Sequence, residues 1–461
     1  MITLKNRRMI EASSEVRTFG RGDAIVELPN LVEIQTNAYR EFLNPSVQAA
    51  ARENRGLEAL LREAFPIYSY DKTMCLEYVG YELGRPRYTI EECRKLRMTH
   101  GYPFKVRLRL VKAEPVEEEV YLGEIPIMMG GGEFIINGSE RVVVNQLHRS
   151  PGVDFMLDHS VTDRDLHSCW IIPERGSWVE LAVTKKEIMT VRIDQQGKFS
   201  AMILLRALSE DLGTDQALLR TFYKTKVFKK TKSMTVNAFA KKITDKIAVG
   251  DIIVLKTGEV LVPSATPIPE TAALEIAAGD MAEVEVIQPT GGEVDMLLIN
   301  SLHDEPNIKT HEEALIKIYS RLRPGNPPQL EKARELFREK FFDEQRYRLG
   351  RVGRFRLNRK FNQNIPEDVQ VLQPEDIVNS VKYLMGLRAG KGEVDDIDNL
   401  GNRRVRTIAE LAGEEFRKGL LKLRRTAQER MNLENPETVS PRTLLNSKTF
   451  SISLDYFFAR S

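Results

Sequence analysis

Between Lys105 and Leu110 the chain alternates strictly: Lys105, Arg107 and Arg109 are interleaved with Val106, Leu108 and Leu110. Successive side chains of a strand point to opposite faces, so this spacing predicts a half-buried strand whose exposed face is basic. Further strand signals cluster around it at Val120 to Leu122, Phe134 to Ile136 and Val142 to Val144, bounded by glycine or proline. Helix-period segments flank the cluster. Leu31, Ile34, Ala38 and Phe42 share one face behind a Pro29-Asn30 turn and cap, with Glu33 three residues after Asn30, and Leu57 to Phe65 has a similar period. A second block from about Ser150 to Leu400 opens with strand-like segments around Ile171, Val179 and Val191. It continues through a Val/Ile-rich stretch, Ile247 to Val262, with Gly250 and Gly258 as turn points. Helices are expected near Glu312 to Arg321 and Leu330 to Phe341, separated by Pro324-Gly325-Asn326-Pro327-Pro328. The last long helix spans roughly Ile408 to Met431, with Leu411, Phe416, Leu420, Leu423 and Ala427 on one side. Strands and helices mix without regular βαβ alternation, and no repeat or low-complexity tract interrupts them. The fold class is α+β.

A chain of 461 residues exceeds one compact core, so about two or three domains are expected. The net charge of +2 does not mark a nucleic-acid binder, and such a role must come from local clustering. Gln345 to Phe361 carries seven Lys or Arg and no acidic residue, and Thr221 to Ile243 carries seven lysines. The three cysteines, Cys75, Cys93 and Cys169, form no CxxC pair, which argues against a zinc site or disulfide framework and fits a reducing cytoplasm. The first twenty residues lack the apolar centre of a signal peptide and no apolar run is long enough to span a bilayer, so membrane and secretory readings drop out. The chain stops after the apolar run Ile452 to Phe458, which reads as a cut through a domain, with a docked terminus as the ordinary alternative.

Each chemically suggestive motif has a plainer counterpart. Gly130-Gly131-Gly132 fits neither phosphate-binding glycine pattern and reads as a hairpin turn; Asn137-Gly138-Ser139 is a sequon without consequence in such a chain. Asp395, Asp396 and Asp398 are candidate ligands for a hard cation or a solvated loop. Behind them, Gly401-Asn402-Arg403-Arg404 adds arginines, and the Asp–Arg combination suits either the edges of a nucleobase or a salt-bridged loop. Trp178, in Arg175-Gly176-Ser177-Trp178, stacks on an unpaired base or packs into the core, with the core the commoner case. Leu147-His148-Arg149-Ser150-Pro151-Gly152 reads as a turn carrying a basic contact. The run Arg346, Arg348, Arg351, Arg354, Arg356, Arg359 and Lys360, with Tyr347, Phe355 and Phe361, offers phosphate contact or pairing with acidic neighbours.

Taken in order, Gly123-Glu124-Ile125-Pro126, the run Gly132 to Val153, Ile172 to Trp178, Arg323 to Pro328, Gly350 to Arg354 and Asp396 to Arg404 resemble the β subunit of bacterial-type RNA polymerase over almost the whole chain. The resemblance implies an arm at residues 1–24, a protrusion domain at 25–148 and 401–461, and a lobe inserted between them at 149–400. It implies one wall of the DNA cleft, contacting downstream duplex and the non-template strand. A pocket for an unpaired guanine maps onto Arg149, Trp178, Asp398 and Arg403, with Arg404 beside it, and the edge of a rifamycin-binding region onto Arg141, Val144, Gln146 and Ser461. It further implies a cytoplasmic assembly with β′, α, ω and σ subunits. The chain then holds no cofactor, the catalytic magnesium belongs to β′, and the isolated chain is inactive. Two rival functions stay open: a free-standing metal-dependent phosphoryl transferase using Asp395, Asp396 and Asp398, and an interaction module without direct DNA contact.

Overall fold

The computed structural model describes residues 30–45, 51–112, 114–159, 165–230, 234–253, 259–279, 283–289, 294–433 and 438–460. The expected arm, Pro29, Gly258 and Ser461 lie outside them. Two compact units emerge, one from the described residues up to His148 together with those from Val405 onward, the other from Arg149 to Arg404. Each mixes helices with antiparallel strands, as the α+β reading requires.

The first unit is built on a four-stranded antiparallel meander of Ile67–Tyr68, Cys75–Leu83, Gly101–Val111 and Val116–Pro126. Its third strand follows the alternation in the sequence: Phe104, Val106, Leu108 and Leu110 are fully buried. The basic outer face is met by the neighbouring strand, with Lys105 2.6 Å from Glu119 and Arg109 3.0 Å from Glu117. Exposed cross-strand pairs of this kind add little stability each, but they cancel the local charge.

Two late helices, Ile408–Leu433 and Ser447–Ala459, complete the core of this sheet. Ala412, Phe416, Gly419, Leu420, Leu423, Ala427 and Met431 recur at helical spacing and are buried, whereas Leu411 lies half-buried beside that stripe. The apolar run at 452–458 belongs to the second helix, which buries Phe450, Leu454 and Phe458 at four-residue intervals. The Phe450 ring sits 5.6 Å from the rings of both Phe104 and Phe416, and Phe458 lies 5.0 Å from Phe134. Gly419 makes room for this: a methyl group there would meet Phe450 at 3.1 Å and Ser453 at 3.4 Å. A mid-helix glycine costs stability, which the close helix approach offsets.

Two local expectations need correction. The helix Glu33–Leu43 buries Gln35, Tyr39, Phe42 and Leu43, and Leu31 and Ile34 stay exposed. Its orientation is set by polar anchors a hydrophobic count ignores, since Tyr39 donates to the Pro126 carbonyl at 2.8 Å and Gln35 to that of Val143. Asn30 accepts the Val32 N–H at 3.1 Å and makes no capping box with Glu33. The hairpin of Glu133–Ile136 and Ser139–Val142 turns at Asn137-Gly138, where φ is 51° and 80°, as a primed two-residue turn demands, and the strand ends before Val143. Gly130 and Gly131 form a separate tight turn, closed by the Gly132 N–H on the Met129 carbonyl at 3.0 Å.

The second unit contains a five-stranded antiparallel sheet in the order Phe199–Ser200, Met189–Ile193, Val179–Val183, Asp165–Ile172 and Gly152–His159. Cys169, Ile171, Val179, Leu181, Met189, Val191 and Ile193 face a core of helices that includes the wholly buried Ala201–Leu208, its neighbour His311–Leu322, and Leu330–Phe341, which packs on the latter. Thr310 and Glu313 cap His311–Leu322 reciprocally. The helices Gly350–Phe361 and Pro374–Arg388 are joined by a fully buried ion pair: Arg354 donates to both oxygens of Asp376 at 2.9 and 3.0 Å and to the carbonyl of Val369 at 2.9 Å. Burial pushes the Asp376 carboxyl up despite the arginine beside it. A smaller core joins the helices Val236–Ile243 and Glu270–Ala278 to the ribbons Thr225–Lys229 with Glu283–Ile287 and Ile252–Ile253 with Val260–Val262.

Phe450→Ala is expected to destabilise the first unit by about 3–5 kcal/mol, as a large cavity does; urea unfolding followed by far-UV circular dichroism checks this, and an unchanged transition would exclude the wedge. Arg354→Met alone should cost about 3–5 kcal/mol by stranding a buried carboxylate, and pairing it with Asp376→Leu should recover most of the loss in the same measurement.

Candidate nucleic-acid interface

Both tryptophans of the chain belong to one cluster in the second unit. On the strand Asp165–Ile172, Cys169 and Ile171 point into the core, so Trp170 stands on the opposite face, half-exposed. Strand pairing places it across from Asp154 on one side and Glu180 on the other. Trp178 enters from the turn before the strand Val179–Val183, and its backbone N–H donates to the Asp194 carboxylate at 3.0 Å. That turn passes through Gly176 at φ +126°, where any Cβ would lie 2.7 Å from the Tyr347 ring. The two indole rings meet edge to face with centroids 5.9 Å apart. The Arg149 guanidinium lies 4.6 Å above the centre of the Trp170 ring, a cation–π distance. Trp178 is half-buried and therefore not a core residue, and Arg175 donates to the carbonyls of Glu344 and Gln345 at 3.1 and 2.7 Å.

Beneath this cluster Asp154 is buried and paired with Arg356 at 2.6 Å. Burial pushes its carboxyl up; Arg356 first, and Arg149 more weakly, draw it back. Arg149 thus sits in the field of a carboxylate already committed to another cation.

The loop from Asp395 sends its three carboxylates to three different partners. Asp395 takes the Lys360 ammonium at 2.8 Å and the Phe155 N–H at 2.9 Å. Asp396 accepts the N–H of Asp398 at 3.0 Å, closing a local turn. Asp398 pairs with Arg403 at 3.1 Å, with its side chain 84% exposed and that of Arg403 35% exposed. Among the described residues no group of three or more His, Cys, Asp or Glu side chains is placed to hold a metal ion. The salt-bridged reading of this loop holds, and it leaves one edge of Asp398 open to solvent. The Ser150 N–H donates to the Asn402 carbonyl at 3.2 Å, so the chain next to Arg149 is tied to the residue before Arg403. Arg404 is half-buried beside them.

The basic run around the helix Gly350–Phe361 turns out to be an internal pairing network. Arg346 meets Glu339 at 2.5 Å, Arg348 meets Glu174 at 3.5 Å and Arg351 meets Glu367 at 3.2 Å. With Arg354 on Asp376, Arg356 on Asp154 and Lys360 on Asp395, six of its seven cations have acidic partners; Arg359 is exposed. The lysine run is freer. Lys229 pairs with Glu283 at 2.6 Å and Lys230 donates to the Ala277 carbonyl at 2.6 Å, while Lys226, and Lys246 just beyond the run, lie 5.3 and 5.6 Å from the Phe228 ring.

Arg141, Val144 and Gln146 belong to the first unit. Arg141 donates to the Ala459 carbonyl at 2.9 Å, a favourable placement for a cation at a helix C-terminus, whereas Val144 and Gln146 are exposed. Ser461 lies outside the described residues. The residues that sequence reasoning missed are Trp170, Asp154 and Arg356. Trp170 was readable from its outward position between Cys169 and Ile171; the pairing of Arg356 with Asp154 joins distant segments and leaves no local signal.

Two family models match, one described as RNA polymerase Rpb2, domain 2, over residues 286–406, and one as RNA polymerase beta subunit over residues 30–130. The class is that of multi-subunit RNA polymerases. Curated relatives narrow it: DNA-directed RNA polymerase subunit beta of Rhodopirellula baltica is 52% identical across 100% of this chain, and that of Geobacter sp. strain M21 is 38% identical across 96%. The Sorangium cellulosum subunit is 36% identical across 98% of the chain. The chain spans 37% of the length of the first two relatives and 38% of the third. It belongs to the bacterial RNA polymerase β-subunit family and corresponds to an N-terminal portion of that subunit. Among the described residues no helix is long and apolar enough to cross a membrane.

Because Arg346 and Arg351 already hold carboxylates, Arg346→Ala with Arg351→Ala should leave the salt dependence of single-stranded DNA binding unchanged. A fall of about one in the slope of log affinity against log salt would assign them to phosphate.

Proposed function

We propose that this chain forms one wall of the DNA cleft of a bacterial RNA polymerase and receives an unpaired guanine of the non-template strand. In this reading the first unit is the protrusion and the second the lobe inserted into it. The observation that carries the reading is the Arg149–Trp170–Trp178 cluster and the solvent-open Asp398–Arg403 pair, whose chain segments are tied by the Ser150 N–H on the Asn402 carbonyl. Aromatic faces suit the π surface of a base. A carboxylate accepts from the amino and imino edge of guanine, and a guanidinium donates to its oxygen and nitrogen acceptors. The Asp398–Arg403 pair is exposed, so opening it for a ligand costs little.

Nucleotidyl transfer would then be the work of the assembled enzyme, with magnesium held by the β′ subunit and none by this chain, which alone would be inactive. The same reading assigns β′, α, ω and σ as partners, downstream duplex as a further contact, and the cytoplasm as location. Arg141, Val144 and Gln146 would edge the rifamycin-binding region.

Titration of the purified chain with single-stranded oligonucleotides differing in one guanine or adenine tests the base-reading claim. Asp398→Ala and Arg403→Ala should each remove about 1–3 kcal/mol of guanine preference and leave circular dichroism unchanged. Equal binding of the two oligonucleotides by the wild-type chain would refute it, and binding indifferent to salt would favour an interaction module instead.

A further inference from the structure

The resemblance that pointed to Arg149 and Trp178 did not include Trp170, yet both side chains meet on its ring. We propose that Trp170 is a positioning residue of the base-reading face: it holds the Arg149 guanidinium in place and sets Trp178 edge-on beside it. The inference rests on the guanine reading above and assigns within it the residue that determines how Arg149 is presented.

The geometry supports this from three sides. The guanidinium lies 4.6 Å from the Trp170 ring centre, while the Trp170 and Trp178 rings stand at 64° and 5.9 Å, so one indole touches both neighbours. Asp154, whose carboxyl Arg149 draws down more weakly than Arg356 does, is buried and engaged by Arg356 at 2.6 Å. Arginine is rich in rotamers, and stacking on an indole restricts a planar guanidinium. Finally, the ring stands on the face of the strand away from the core, with fully buried Cys169 and Ile171 pointing the other way. Its half-exposed position adds nothing to the packing beneath the sheet that an aliphatic side chain would not retain.

An unpaired guanine offers O6 and N7 to a fixed guanidinium and its N1 and N2 protons to a carboxylate. Arg149 held over Trp170 would read the first edge, and Asp398 the second. Loss of the ring leaves the charge of Arg149 in place and removes its aim. Overall phosphate affinity is then preserved and base discrimination falls.

The test compares Trp170→Leu and Trp170→Phe with the wild-type chain on single-stranded oligonucleotides carrying one guanine, adenine or 7-deazaguanine. Trp170→Leu is expected to lower the guanine-over-adenine preference about three- to tenfold, the range a cation–π contact supplies, and to abolish the penalty for 7-deazaguanine. Trp170→Phe keeps a ring and should retain most of both. Arg149→Lys should reproduce the Trp170→Leu loss, and the double variant should be no worse than either single one, because both act through the same guanidinium. If Trp170→Leu fails to fold, the comparison of Arg149→Lys with Arg149→Lys/Trp170→Phe, together with Trp170 emission in Trp178→Phe on adding the guanine oligonucleotide, carries the test; additive losses or unchanged emission overturn the proposal. Wild-type discrimination in Trp170→Leu, with discrimination lost in Asp398→Ala and Arg403→Ala, overturns the role of Trp170 and leaves the site standing. Retained discrimination in all of these variants removes the site itself.

Discussion

The wedge of Phe450 between Phe104 and Phe416 is the contact on which the first unit depends. Phe104 comes from the early meander, Phe416 from the long late helix and Phe450 from the helix that follows it. The sheet alone would present Val106, Leu108 and Leu110 to water, and two helices from beyond Val405 cover them. A sheet with one naked apolar face is not a stable layer. The strands before His148 and the helices after Val405 are therefore parts of one fold, and Arg149 to Arg404 can form its own unit between them because it has its own sheet and helices.

Charge behaves differently in the folded chain than along the sequence. The seven-cation run at 345–361 looks like a binding stripe, but Arg354 is buried against Asp376 and five others hold carboxylates from elsewhere. Those carboxylates come from residues as distant as Asp154 and Glu174, so a local count overstates the field available to a nucleic acid. The candidate site is a smaller and more selective set: two indole rings, Arg149 over one of them, and an exposed Asp–Arg pair. Such a set discriminates a base better than it attracts a backbone.

Strictly periodic elements were legible in the sequence. The alternation at Lys105 to Leu110 sits in a strand with the expected inner face, and Leu330 to Phe341 is a helix with the expected ends. Ala201–Leu208 is only eight residues long and buries even its charged residue, Arg206, so no exposed polar face accompanies it. The face of Glu33–Leu43 was misread because Gln35 and Tyr39, anchored by hydrogen bonds to distant carbonyls, outrank Leu31 and Ile34. At the candidate site, Asp398, Arg403 and Trp178 drew notice through their chemistry, and their grouping came from the family resemblance. The outward position of Trp170 was readable between Cys169 and Ile171, but its contact with Arg149 joins separate segments and has no local signal.

Photocrosslinking tests the central claim most directly. A single-stranded oligonucleotide carrying one 6-thioguanine, irradiated with the purified chain and mapped by mass spectrometry, reports which residues touch the base. The account predicts adducts on the peptides that contain Trp170, Trp178 and Arg403, displaced by an unmodified guanine oligonucleotide and not by its adenine counterpart. Adducts confined to the lysine-rich segment from Lys224 to Lys230, equally displaced by both competitors, would contradict it.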